Sequence, residues 1–280
     1  MMKKIDSSLF QDIFGLSCVE NLVLYILRQS GKPFRYLYYD SFLTLFELER
    51  GFICKKDTFV DFKSIRKIQD IALDEGWIDM SFDDSFLWRE SLVFDGEIRL
   101  IMVTPQFMLD KFQINAWRTD HYILTYVNEE HDYCFVNDHP PFCDIISSKE
   151  MSYYFAGKTI AIKVKEHINT DLSYYLNTFK SNLIRHDYYE IHCDDLLMLR
   201  DIIGVLRIIR RRIFSFVEIK ELNEMFNQYL KQLDRFYASI EYMRIKDKID
   251  TEKIKMIKKE VSQQDFLIVK KIIKQLNIIV

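Results

Sequence analysis

His121-Tyr122-Ile123-Leu124-Thr125-Tyr126-Val127 and Asp132-Tyr133-Cys134-Phe135-Val136-Asn137-Asp138 are two runs rich in β-branched and aromatic residues, separated by Asn128-Glu129-Glu130-His131. Runs of this kind around a short polar loop predict an antiparallel hairpin. Pairing Val127 with Asp132 sets Tyr126 opposite Tyr133, Leu124 opposite Phe135 and His121 opposite Asp138. Directly opposed residues project from one face with Cβ atoms about 5 Å apart, so the carboxylate would accept the imidazole N–H and orient the ring. A slip of one residue sends Asp138 to the other face and leaves an ordinary polar pair at the hairpin ends.

Outward from the hairpin, two more β-like runs stand at Ile98–Val103 and 159–164, with turn-forming residues between. An apolar stripe at 19, 22, 23, 26 and 27 predicts a helix over 18–29, and a second is expected over 60–75, ending near Gly76. After residue 168 there is no proline, and the period becomes helical. Leu199, Ile202, Leu206 and Ile209 mark one stripe, Phe226, Tyr229, Leu230 and Leu233 another, and 251–276 a third helix. Charge changes at the same place: 18 Lys and Arg against 25 Asp and Glu over 1–164, then 21 against 17 over 165–280. The expected architecture is α+β, with a catalytic-type domain over 1–167 holding an antiparallel sheet and a helical domain over 168–280.

Composition narrows the chemistry. The chain is 49% hydrophobic with 22 Phe and 16 Tyr, enough for a sizeable core. A net charge of −3 gives no general reason to bind nucleic acid. The seven glycines, at 15, 31, 51, 76, 96, 157 and 204, are never closer than 16 positions. A dinucleotide fingerprint, a P-loop and a G-x-S-x-G elbow each need two within about eight residues, so all three are excluded. Five cysteines without a C-x-x-C suggest reduced thiols. No run approaches the ~20 apolar residues of a membrane span, and 1–30 lacks a signal-like core, so a cytoplasmic protein is expected.

Cys18, in Phe14-Gly15-Leu16-Ser17-Cys18-Val19-Glu20-Asn21-Leu22, opens the first helix with Ser17 as a plausible N-cap. A sulfur there faces unpaired amides and the positive end of the helix dipole, which favour a thiolate. The same position also suits a small buried residue. With His121 as base and Asp138 as orienter, the order Cys…His…Asp supplies what nucleophilic cysteine catalysis requires. Gln11, seven residues earlier, is the candidate side-chain donor to an oxyanion.

Ser17-Cys18-Val19-Glu20-Asn21, Asp120-His121-Tyr122 and Asn137-Asp138 together resemble the papain-like superfamily in its C39-type branch, and more closely the butirosin biosynthesis protein H-like enzymes, over residues 8–165. The resemblance implies a papain-like N-terminal domain and a thiol acyltransferase. Such an enzyme takes an acyl or peptidyl group from a carrier-protein thioester and passes it through acyl-cysteine to a small amine. The implied partner is an acyl or peptidyl carrier protein bearing phosphopantetheine, with no other cofactor. A cysteine peptidase and a non-catalytic interaction protein are the alternatives. Val19 stands where C39-type peptidases carry glycine.

Other signals have plainer readings beside the sharp one. Arg207, Arg210 and Arg211 share a helix face, with Arg212 beside them; they form a solvated face or dock an acidic carrier and its phosphate. Phe34, Tyr36, Tyr38, Tyr39, Trp88 and Trp117 line an acyl channel or belong to the core. His131-x-x-Cys134 and His139-x-x-x-Cys143 look zinc-like but would not converge past Pro140 and Pro141.

Overall fold

The computed structural model describes residues 7–59, 61–84, 88, 98–114, 119–128, 133–183 and 185–276. The chain divides into two compact units, one of Met1–Pro33 with Ile68–Asn169 and one of Phe34–Lys67 with Thr170–Val280. The chain changes units at 169/170, and 34–67 groups with the later helices rather than with the sheet.

In the first unit, α1 (Cys18–Gln29) begins where Ser17, in extended backbone, accepts the Glu20 N–H through its hydroxyl at 3.3 Å. Leu22, Val23, Ile26 and Leu27 are buried along its inner stripe. The helix stops at Ser30, and Gly31 takes φ +67°, a conformation open to glycine without strain. The expected helix over 60–75 is confined to α3 (Ile68–Asp74). Among the described residues, six strands form one antiparallel sheet in the order β1-β6-β2-β3-β4-β5. They are β1 (Ile78–Asp84), β2 (Ile98–Val103), β3 (His121–Val127), β4 (Tyr133–Asp138), β5 (Pro141–Ile145) and β6 (Phe155–Val164).

The hairpin register corrects the expectation. β3 and β4 pair Leu124 with Val136, Thr125 with Phe135, Tyr126 with Cys134 and Val127 with Tyr133. Five residues, 128–132, therefore separate the paired ends, not four; Asp132, the expected partner of Val127, lies outside the described residues. The one-residue slip places Asn137, not Asp138, on the face of His121 by the twofold alternation of strands.

That face carries the core. Ile101, Val103, Ile123 and Phe135 pack with Phe107 and Met108 of α4 (Pro105–Phe112) and Met151 and Tyr154 of α5 (Ser148–Tyr154). The opposite face meets α1: Leu124 and Tyr126 share a cavity with Tyr25, Ile26 and Gln29. The sheet thus sits between α1 and the α4/α5 layer, and the start of α1 comes to the end of the sheet where β3 begins and β4 finishes.

The second unit is helical. It holds a 3₁₀ segment at Phe34–Asp40, α2 (Leu45–Cys54), α6 (Leu172–Leu183), α7 (Leu196–Val217), α8 (Asn223–Ile245) and α9 (Thr251–Gln275). Thr44 and Glu47 form a reciprocal capping box at α2, and Asp195 and Asp250 cap α7 and α9 through their side chains. Arg210 corrects another expectation. It is fully buried, with Nε 2.7 Å from Asp265 Oδ1 and Nη2 2.8 Å from Asp265 Oδ2, so it cannot dock a surface partner. Arg210 Nη2 also donates to the Leu43 carbonyl, and Tyr229 donates its hydroxyl to Asp265 Oδ1 at 2.7 Å. Arg207 and Arg211 are partly exposed but both engage Asp234.

No helix among the described residues is long and apolar enough to cross a membrane.

Candidate active site

The pre-helical loop is shaped by two residues just after the cysteine. Glu20 is completely buried and accepts the Leu16 N–H through Oε2 at 2.5 Å and the Ile68 N–H through Oε1 at 2.9 Å. Asn21 accepts the Gly15 N–H at 2.7 Å. A Cβ at Gly15 would lie 2.4 Å from Asn21 Oδ1, so the loop closes this tightly only with glycine there. These contacts deliver Cys18 at the first position of α1. The first amides of a helix have no intrahelical acceptor, so the Cys18 and Val19 N–H groups suit an oxyanion there.

His121 stands at the head of β3 with 3% of its side chain exposed. Its Nε2 lies 3.0 Å from Asn137 Oδ1 and 3.2 Å from Asp138 Oδ1. Asn137 holds the hydrogen-bond direction. Its own Nδ2 donates to the Pro140 carbonyl at 2.8 Å, which turns Oδ1 toward the ring and selects the Nε2–H form. Asp138 Oδ1 is buried and takes no well-directed hydrogen bond, so it acts on the ring by proximity and charge. Its other oxygen accepts from Asn21 Nδ2 at 2.9 Å. Cys18 is the other side chain that acts on the ring and raises its pKa.

The contact with Asp138 survives the register slip because the β3–β4 ladder ends at Leu124 and Val136. Beyond that pair no register pairing joins the strands, and the ring reaches both the Asn137 amide and the Asp138 carboxylate at the strand end. Burial is the largest influence on His121 and disfavours its charge. Asp138 and Cys18 outweigh it through contact and negative charge, and the imidazole pKa is pushed up to about 9. The surroundings thus favour the imidazolium over the neutral ring.

The other thiols differ. Cys54 and Cys143 are exposed, Cys134 is buried, and Cys193 is buried beside Glu49, which together push its thiol up to about 12. The structure thus brings Cys18, His121 and Asp138 together. Gln11 does not join them: it is exposed, and its carbonyl accepts from Arg28 Nη1 at 2.9 Å. Arg28 is in the last turn of α1, ten residues and about 15 Å along the axis from Cys18. Asn137, Asn21 and Glu20 are the contributors that pattern reasoning did not single out, although each stands in a quoted motif.

The aromatic candidates resolve into packing. Tyr38 is buried, and Tyr36 and Tyr39 surround Tyr175 of α6 at 5.5 and 5.1 Å between ring centroids. Trp88 donates to Ser148 Oγ and packs on the sheet core. Trp117 and His131 lie outside the described residues. Among the described residues, no three His, Cys, Asp or Glu side chains are grouped to hold a metal ion.

No family model matches the chain, and no curated protein matches it.

Proposed function

We propose that this chain is a papain-like cysteine acyltransferase that carries an acyl group from a carrier-protein thioester through Cys18 to an amine. One observation supports it most: at the start of α1, Cys18 acts on a buried His121 whose Nε2 lies against Asn137 and Asp138, surroundings that favour the imidazolium. An imidazolium beside a thiol favours the thiolate, the nucleophilic form. In the first half-reaction the sulfur attacks the thioester carbonyl, forming an S–C bond, and the Cys18 and Val19 amides face the developing oxyanion. Collapse breaks the bond to the phosphopantetheine sulfur, which leaves with the proton from His121. In the second, the amine attacks acyl-Cys18, His121 takes the amine proton, and the S–C bond breaks to give the amide. One thioester and one amine become one amide and one thiol, and no nucleotide is consumed.

Incubation with an acylated carrier and no amine should add the mass of the acyl group to Cys18, because the second step lacks its nucleophile. Cys18→Ala should show no adduct and no amide. Product formation that persists in Cys18→Ala would overturn the covalent route. Acylation by peptides as readily as by thioesters would make the chain a peptidase instead.

A further inference from the structure

We infer that Asn21 is a positioning residue for this site, holding the Asp138 carboxylate and the loop before Cys18 with one side-chain amide. The inference rests on the cysteine-enzyme reading above and adds to it a residue that touches neither sulfur nor imidazole. Asn21 Oδ1 takes the Gly15 N–H at 2.7 Å, and Asn21 Nδ2 gives a hydrogen bond to Asp138 Oδ2 at 2.9 Å. The first bond fixes the turn that precedes the nucleophile. The second fixes the rotation of the carboxylate, whose remaining oxygen is then 3.2 Å from His121 Nε2. Helix α1 carries the sulfur and strands β3 and β4 carry the base and its acceptors, and this amide is a hydrogen-bonded link between those two bodies.

The packing around the amide agrees with that role. Gly15 leaves no room for a side chain because Asn21 Oδ1 occupies the place where a Cβ would project. Asn21 Nδ2 and Oδ1 cannot exchange, since a carboxylate only accepts and a backbone N–H only donates. The titratable groups around the link are Asp138 and His121 from the sheet and Cys18 and Glu20 from the same helix. Glu20 is spent on two backbone amides, so the carboxylate that answers to Asn21 is Asp138.

Asn21→Asp separates the two bonds. It keeps an oxygen for the Gly15 N–H but puts a second carboxylate against Asp138, where two like charges cannot both remain ionised at low cost. On protonation the new acid can donate to Asp138 as Nδ2 did. The experiment is the rate of Cys18 carboxamidomethylation by iodoacetamide across pH 5–9, read by mass spectrometry, in the unaltered chain, Asn21→Asp, Asn21→Ala and His121→Ala. Asn21→Asp should react about 10- to 100-fold slower at neutral pH, as misplacement of reacting groups by about 1 Å does. It should recover toward the unaltered rate on acidification, whereas Asn21→Ala should stay slow throughout. A merely structural asparagine would change stability without producing the acid recovery. The probe requires neither carrier nor amine. If Cys18 reacts like Cys54 in the unaltered chain, or His121→Ala makes no difference, the cysteine-enzyme reading itself fails. If those two controls hold and Asn21→Asp follows the unaltered profile at every pH, Asn21 has no positioning role.

Discussion

Asp138→Asn tests the electrostatics of the site with little change of shape. Asparagine is isosteric, and its carbonyl can still accept from Asn21 Nδ2. What disappears is the negative charge 3.2 Å from His121 Nε2. The gap between 6.5 and about 9 for this imidazole corresponds to on the order of 3 kcal/mol favouring the cation, gained against burial. Asp138 supplies the larger part of what opposes burial, since its contact and its charge each outrank the matching influence of Cys18. The imidazole pKa should therefore fall by more than about one pH unit in Asp138→Asn, at least roughly 1.4 kcal/mol, and by less in Cys18→Ala. A ¹⁵N-histidine titration reads this directly, with His121 assigned by its loss in His121→Gln. Stability should follow. A folded pKa above the unfolded one stabilises fully below about 6.5, and that stabilisation is lost as pH rises through about 9. The advantage of the unaltered chain over Asp138→Asn in urea should accordingly be largest near pH 6 and shrink by pH 9.5. A His121 midpoint unmoved by Asp138→Asn, or moved more by Cys18→Ala, would refute the assignment of the cation to this carboxylate.

Two further outcomes follow from packing. Gly15→Ala should slow Cys18 alkylation by about tenfold or more, because its Cβ would displace the Asn21 amide and with it the loop before the sulfur; unchanged alkylation kinetics would show that the loop yields at no cost. Asp265→Ala should destabilise the helical unit by about 3–5 kcal/mol in chemical denaturation, because it leaves Arg210 buried and uncompensated. Arg207→Ala, which breaks a partly exposed pair with Asp234, should cost no more than about 1 kcal/mol and serves as its control.

What sequence made legible was local. The start of α1 at Cys18 was readable because a capping residue and an apolar stripe coincide within ten residues. The bounds of β2 and β3 were readable because their apolar density is high. The β3–β4 register was not. The loop Asn128–Asp132 has no glycine to specify a tight turn, so its length was open by one residue, and one residue decides which side chain faces His121. β1 escaped because Ile78 is the only fully buried residue along Ile78–Asp84, leaving little apolar pattern to detect. Basic helical neighbours make Arg210 look like a surface residue; its partner Asp265 lies 55 residues away, beyond any periodicity. Sequence distance alone puts Gln11 near Cys18, yet the chain between them leads it toward the far end of the same helix.

Asn137 and Asp138 are consecutive in the chain, and both reach one imidazole nitrogen of His121. They divide the labour: the neutral amide accepts from the ring, and the anion supplies charge beside it. Orientation and charge can therefore be altered one at a time, since loss of the Asn137 amide removes the acceptor and keeps the charge, whereas Asp138→Asn removes the charge and keeps the acceptor at position 137.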